Sequence, residues 1–199
     1  MRAGIALLLC AASGLAQGAD LRMTVSDGSN QPVADAIVYA TALNPPAPVE
    51  HKASIDQVNR RFVPRVSVIQ TGTAVTFPNS DNIRHSVYSF SRPRTFTLKL
   101  YAGTPASPVV FDQPGIVVLG CNIHDTMVAW VLVVDTAFFA RTAADGSASL
   151  PGLPPGDYLL RAWNNSMSDE QPGEALHVGS EALSPRHLHV DGQALEVQP

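Results

Sequence analysis

The sequence has little charge and almost no cysteine. Only 15% of its 199 residues are charged while 45% are hydrophobic, a composition that excludes intrinsic disorder. Acidic residues outnumber basic ones by 17 to 13, so the chain lacks the strong positive charge with which proteins bind nucleic acid. It also lacks a convincing amphipathic helical pattern. Its 14 glycines and 16 prolines divide it into short segments, which favours an all-β fold of short strands and turns.

Long apolar runs are absent beyond the first residues. A membrane-spanning helix needs roughly 20 apolar residues, and no segment after the N-terminal region provides them. Residues 1–19 instead have the pattern of a secretory signal peptide, with Arg2 before a short apolar run and small residues at positions 16 and 18 for cleavage. The pattern favours a signal peptide over a membrane anchor or a lipoprotein attached at Cys10. It predicts an exported, periplasmic protein.

Removal of the signal peptide would leave Cys121 as the one cysteine of the mature chain. Cysteines usually pair in an oxidising compartment, so an unpaired one is a buried bystander, a reactive thiol or a metal ligand. Loss of Arg2 would also change the net charge from -4 to about -5. This small charge suggests partners with some positive surface but does not identify one.

Apolar patterns predict the strands of the mature chain. Val66 and Val68 alternate with more polar residues, as in a half-buried strand. Residues 116–119 and 127–134 are continuously apolar and rich in β-branched side chains, which suits strands buried in a sandwich. The prolines of residues 44–48 are predicted to begin a linker that extends to about residue 54.

The short polar stretch between the two apolar strands carries the most informative residues. Cys121, His124 and Met127 offer a thiolate, an imidazole and a thioether within seven residues, and His85 lies upstream where a turn leads into a strand. Two histidines and a cysteine in one plane, with a weak axial methionine, form a blue (type 1) copper site. Soft sulfur donors favour Cu(I) and imidazoles suit both oxidation states, so this donor set predicts one copper ion used for electron transfer.

Other chemistries account for these residues less well. Structural zinc sites usually contain more cysteines and few bind methionine. Catalysis by a Cys–His pair needs an orienting third residue, for which the sequence offers no clear candidate, and the histidine clusters of multicopper oxidases are lacking. We therefore predict that the protein is not an enzyme. His187 and His189 would face one side of a strand and could meet one ion. A solvated edge strand is the simpler interpretation, because no third ligand lies near in sequence.

The middle region, residues 55–135, resembles the cupredoxins, the small blue copper proteins. Its C-x₂-H-x₂-M spacing is similar to the tight ligand loop of amicyanin, and residues 77–87 resemble the strand that delivers the first histidine. The resemblance implies a Greek-key cupredoxin β-sandwich with one type 1 copper ion. The ligands it implies are His85, Cys121, His124 and Met127.

Residues 55–139 are more closely similar to a bacterial exported family labelled methylamine utilization protein. The recognisable blocks of that resemblance are residues 75–91 and 119–125. That family often has a second histidine where Ser86 stands, which favours His85 as the ligand and leaves Ser86 as a hydrogen-bond donor beside the site. Its label records genetic association, so it does not imply that this chain oxidises methylamine.

The two flanks of this region share a second resemblance. Residues 20–49 look like the opening strands of a carboxypeptidase regulatory-like β-sandwich, and residues 136–199 look like its closing half. Asn30 stands where that pattern usually has glycine, and asparagine tolerates the left-handed conformation. Neither half could bury a sheet face alone, so we predict a cupredoxin domain of residues 55–135 inserted in a loop of a second small β-sandwich. The alternative is an N-terminal extension and a separate C-terminal domain.

These patterns together predict an exported type 1 copper protein that carries single electrons between periplasmic redox proteins. His124, on the ligand loop, is the expected exit for the electron. One alternative is a copper storage or delivery module without redox turnover. Another is a structural β-sandwich protein with a vestigial site, against which the intact ligand set argues.

Overall fold

The computed structural model describes residues 18–45 and 51–190. These residues form strands, turns and loops without a helix, which confirms the predicted all-β fold. The described part of the chain therefore contains no helix that is long and apolar enough to span a membrane. The predicted signal peptide lies outside the described residues except for its last two, and Ala19 is already the first residue of a strand.

Seventeen strands follow one another along the described residues. They are β1 (Ala19–Ser26), β2 (Ile37–Ala42), β3 (Lys52–Ser54), β4 (Asp56–Val58), β5 (Arg61–Val63), β6 (Val66–Gln70), β7 (Thr73–Thr76), β8 (His85–Ser89), β9 (Phe96–Tyr101), β10 (Val109–Phe111), β11 (Gly115–Gly120), β12 (Val128–Val134), β13 (Phe139–Arg141), β14 (Ser147–Leu153), β15 (Gly156–Trp163), β16 (Glu174–Val178) and β17 (Arg186–His189).

A five-stranded sheet in the order β6-β12-β11-β8-β9 lies at the centre of the fold. Its strand β12 is buried on both faces, because alternate side chains enter different cores. Trp130 and Leu132 pack into one core, whereas Val131 and Val133 pack into the other. This two-sided burial explains why residues 127–134 are continuously apolar rather than alternating.

One face of the central sheet packs against the three-stranded sheet β10-β7-β3. Both sheets contribute to one core, including Val117 and Leu119 from β11, Val75 from β7 and Phe111 from β10. Two sheets around a shared core form a β-sandwich. Strand β8 begins and the antiparallel strand β11 ends at the same edge of this sandwich, and the loops at that edge carry the polar residues singled out in the sequence.

The segments before and after the sandwich form two further sheets together. β1 pairs with β14 and β17, and β2 pairs with β13 and β15. Strands from before residue 45 therefore lie beside strands from after residue 138. Their buried side chains form the core that also receives Trp130 and Leu132 from the central sheet. These contacts attach the flanking sheets to the face of the central sheet that points away from the β10-β7-β3 sheet.

Two local features bear on the sequence predictions. Strand β3 lies within the segment predicted to be a linker, because Lys52–Ser54 adds to β7 as a parallel edge strand. Three residues are too few to show a hydrophobic period, so no sequence pattern indicates this pairing. Asn30 has a φ of 58°, the left-handed conformation expected for this turn residue.

Candidate metal centre

The loop between β11 and β12 places three donor side chains at one edge of the sandwich. Cys121 follows the last residue of β11, and Met127 precedes the first residue of β12. The main-chain N–H of Met127 donates a hydrogen bond to the carbonyl of His124 at 2.9 Å, which closes the loop tightly. Since β11 and β12 are paired antiparallel strands, a loop this short must turn back over the edge of the sheet.

His85 approaches the loop from the neighbouring strand. It is the first residue of β8, and β8 pairs with β11 through Tyr88 and Gly120. This pairing places the start of β8 beside the end of β11. The structure thereby brings together His85 and Cys121, which are separated by 36 residues in the chain.

The three strongest donors converge on one small volume. The Cys121 Sγ lies 3.9 Å from the His85 Nδ1 and 4.0 Å from the His124 Nδ1. The two Nδ1 atoms are 3.2 Å apart. Among the described residues, these three are the only group of three or more histidine, cysteine or acidic side chains close enough to share a metal ion.

These separations fit a bound metal ion. With a metal–nitrogen bond of ~2.0 Å and a metal–sulfur bond of ~2.3 Å, the donors of a trigonal plane lie about 3.5–3.7 Å apart. The observed distances between the donor atoms are 3.2, 3.9 and 4.0 Å. Small adjustments of the side chains would therefore place all three donors at bonding distance from one ion.

Asp81 determines which nitrogen of His85 faces the other donors. Its carboxylate lies 2.8 Å from the His85 Nε2. An ionised carboxylate accepts hydrogen bonds and cannot donate one, so the ring nitrogen must be the donor. Nε2 therefore carries a proton, and Nδ1 faces Cys121 and His124. Nδ1 presents a lone pair when the ring is neutral and donates to the Cys121 sulfur when it also carries a proton. His85 itself is fully buried, so this hydrogen bond also fixes the orientation of the ring.

Asp81 is itself held by the turn between β4 and β5. The main-chain N–H groups of Asn59 and Arg60 donate to its two carboxylate oxygens at 2.6 and 2.9 Å. Burial would raise the pKa of Asp81, but the hydrogen bonds from Arg60, His85 and Asn59 outweigh it and hold the pKa below its usual value. The carboxylate is therefore negatively charged at neutral pH.

Ser86 connects the ligand loop to β8. Its hydroxyl accepts a hydrogen bond from the main-chain N–H of Asn122 at 2.9 Å and lies 3.8 Å from the Cys121 sulfur as a donor. Burial would raise the pKa of the Cys121 thiol, but hydrogen bonds lower it to about 6. They come from the main-chain N–H groups of Ile123 and Ser86 and from the side chains of His85 and Ser86.

The remaining predicted site residues are placed differently. Met127 is buried, and its side chain belongs to the same core cluster as Cys121. His187 and His189 lie in a different sheet, where β17 pairs with β1. Both of their rings form hydrogen bonds with the hydroxyl of Ser26, and His187 also with that of Thr24. These bonds join two adjacent strands.

Asp81 is the site residue that the sequence analysis missed. Asp81 stands in the turn that leads to His85, and a turn carboxylate acquires a role only through the contacts that the fold gives it. The available signal was its spacing of four residues from His85, with the turn between them. A carboxylate beside a ligand histidine is a recurrent arrangement in metal sites.

Solved structures similar to this chain include several copper proteins. A purple cupredoxin from Nitrosopumilus maritimus is 22% identical over 41% of this chain and 99% of its own, with a TM-score of 0.37. A reduced Cu(I) form of an amicyanin variant is 17% identical over 48% of this chain and 99% of its own, with a TM-score of 0.39. A copper-containing nitrite reductase from Thermus scotoductus is 24% identical over 56% of this chain and 28% of its own, with a TM-score of 0.39.

No protein-family model matches the chain, and no curated protein is significantly similar to it. Identities this low and TM-scores below 0.5 do not establish a family. The function is therefore inferred from the geometry of the site itself.

Proposed function

We propose that this protein is an exported cupredoxin that carries single electrons through one type 1 copper ion. The observation that carries the proposal is the convergence of the His85, Cys121 and His124 donor atoms within 4.8 Å of one another. Two imidazoles and a thiolate are the in-plane donors of a blue copper site. Met127, buried in the same core, is assigned as the axial ligand.

The donor set favours copper over zinc. Structural zinc is usually held by four cysteine or histidine ligands, whereas the described residues provide three such donors and a nearby thioether. Thiolate and thioether are soft ligands that suit Cu(I), and imidazole suits both oxidation states. Copper bound there would cycle between Cu(I) and Cu(II) by exchanging one electron.

The protein residues would keep the ligands in one arrangement during that exchange. Asp81 and the turn of β4 and β5 hold His85 from behind, and the hydroxyl of Ser86 holds the loop next to Cys121. Cys121 and His85 are buried, while His124 is partly exposed. His124 is therefore the proposed point at which an electron enters or leaves from solvent-facing partners.

Export and architecture complete the proposal. The signal-peptide pattern of residues 1–19 supports a periplasmic location. Pairing between strands from the two flanks supports one regulatory-like β-sandwich interrupted by the cupredoxin domain. The proposed partners are other periplasmic redox proteins, and no catalytic role is assigned to the site.

The experiment that tests the carrier function measures whether copper stays bound while the electron moves. The copper-loaded protein is reduced with ascorbate and reoxidised with hexacyanoferrate(III) over several cycles, in the presence of a Cu(I) chelator. A carrier returns to full absorbance in each cycle and loses little copper. Stoichiometric transfer of copper to the chelator after the first reduction would instead indicate a delivery module.

A further inference from the structure

Charge is distributed unevenly between the two parts of the molecule. Residues 51–135 contain eight Lys and Arg against five Asp and Glu, a formal net charge of +3. The described residues of the flanks, 18–45 and 136–190, contain four basic against nine acidic residues, a formal net charge of -5. The negative charge of the whole chain is therefore no guide to the partner of the part that holds the metal centre.

The outer face of the central sheet is only half covered. Trp130 on β12 is buried against the core of the flanking sheets. Its register partner Val118 on β11 faces the same side, yet it is 39% exposed. The flanking sheets still contact Ile116 near the start of β11, but they do not cover Val118, and they leave open the outer face around Val118 and on β8 and β9.

An aromatic pair stands on this open half. Phe90, just after β8, is 78% exposed, and its ring lies 5.1 Å from the ring of Tyr88. An exposed phenylalanine beside an exposed valine is an apolar surface that a monomer gains nothing by presenting to water. We call the surface formed by Phe90, Tyr88 and Val118 the aromatic patch.

Basic side chains border the aromatic patch. Arg92 is exposed two residues beyond Phe90. Lys99 is exposed on β9, two residues beyond Thr97, which is the register partner of Tyr88. An apolar centre with a basic border matches a partner surface that has an apolar centre and an acidic border.

The aromatic patch contacts the residue that precedes the thiolate ligand. Gly120 is the register partner of Tyr88, and a Cβ added to Gly120 would lie 2.6 Å from the Tyr88 ring. The Tyr88 ring therefore occupies the place of a side chain at Gly120, directly before Cys121. Contacts run from the exposed Phe90 ring through Tyr88 to Gly120, the residue bonded to Cys121.

We propose that the aromatic patch is a docking surface for a redox protein whose contact face is apolar at its centre and acidic at its border. The proposal rests on the proposed electron-carrier function. It adds a second contact surface to the exposed edge of His124. The partner would exchange its electron with the copper through the contacts from Phe90 to Tyr88 and Gly120 and the covalent bond from Gly120 to Cys121.

Hexacyanoferrate(III) is a suitable redox probe, because it is anionic and accepts one electron. One Cu(I) is oxidised to Cu(II) for each Fe(III) reduced to Fe(II). The test variant is the double charge reversal R92E/K99E, and the matched control is R22E/R186E, which makes the same change of charge on exposed residues of the flanking sheets. We expect the second-order rate at low ionic strength to fall about tenfold in the test variant and less than about twofold in the control.

Equal slowing of both variants would show that only the net charge matters, and no slowing in either would show that the anion reacts elsewhere. Both results would refute the proposed docking surface, and neither would contradict the proposed copper site. Absence of the blue copper spectrum in the wild-type protein would instead overturn the proposed function. These two failures are therefore distinguishable.

A second measurement does not need copper. Hexacyanochromate(III), a paramagnetic and redox-inert anion of the same charge, is added to the metal-free mature protein, and the broadening of amide signals is mapped by NMR. Broadening centred on Phe90, Arg92 and Lys99 supports the proposal, and broadening centred on another surface contradicts it. Sedimentation of the wild type and of Phe90→Ser provides a further check. A dimer that dissociates in this variant would assign the aromatic patch to a second copy of the chain and overturn the proposed partner.

Discussion

The Nε2 of His85 donates a hydrogen bond to the Asp81 carboxylate at 2.8 Å, and His85 is the fully buried member of this pair. The bond selects the tautomer whose Nδ1 faces Cys121 and His124. Because the main chain of the turn between β4 and β5 also holds Asp81, the position of one metal ligand depends on a hairpin more than 20 residues away. The dependence of this metal ligand on residues far away in sequence can be tested by substitution.

Replacement of Asp81 by alanine should weaken copper binding. The His85 ring would lose the carboxylate that orients it, and losses of about 10- to 100-fold in affinity are typical for such partners of a metal ligand. Asp81→Asn should lose less, because its amide oxygen can still accept the hydrogen bond. Competition with a chelator measures the affinities, and Asp112→Asn, at an exposed carboxylate, is the control. Equal affinities for Asp81→Ala and wild type would refute this role.

The metal-free protein should contain a thiolate at neutral pH. Hydrogen bonds outweigh burial and lower the pKa of Cys121 to about 6, so thiolate absorbance near 240 nm should appear as the pH rises through that value. Since the pKa is lower in the folded state, the associated stability is present above the unfolded pKa and is lost as the pH falls through about 6. Cys121→Ser provides the baseline, and a midpoint above 8 would contradict the prediction.

A side chain at Gly120 should destabilise the fold. The added Cβ of Gly120→Ala would lie 2.6 Å from the Tyr88 ring, and such overpacking typically costs about 1–3 kcal/mol. Gly179→Ala is the control, because its Cβ would meet nothing closer than 3.7 Å. Urea unfolding measures both. The double variant G120A/Y88S should recover part of the loss, and no recovery would show that the ring is not the obstacle.

The two flanks should depend on each other for folding. Strands β2 and β15 are paired along six residues, and the core they share receives side chains from both flanks. A fragment that starts near residue 136 should therefore be unfolded by circular dichroism and digested rapidly by proteases. A fragment that stays folded without residues 20–45 would refute the interrupted sandwich and favour two independent domains.

The part of the candidate site that is local in sequence was more open to prediction than its surroundings. Cys121, His124 and Met127 lie on one short loop, so their chemistry could be interpreted without knowing the fold. The spacing of Asp81 from His85 was visible in the sequence, but its role also depends on the contact of its carboxylate with Asn59, 22 residues away. Residues separated widely in sequence leave no periodic pattern that identifies their contacts.

The same limit applies to the surface of the sandwich. Alternation of apolar and polar residues indicates a strand, but it does not tell whether the face of that strand is covered. Exposure of Phe90 follows from flanking sheets that reach Trp130 and stop before Val118. The all-β class, by contrast, followed directly from the short apolar segments and their frequent glycine and proline breaks.

The visible absorption spectrum of the mature protein after addition of Cu(II) distinguishes a type 1 copper site from any other copper site. We expect an intense blue band that disappears on reduction, returns on oxidation and is absent in Cys121→Ser, because the Cys121 thiolate is the strong donor. A folded protein that binds Cu(II) without this band, or that shows it unchanged in Cys121→Ser, would contradict the proposed type 1 site.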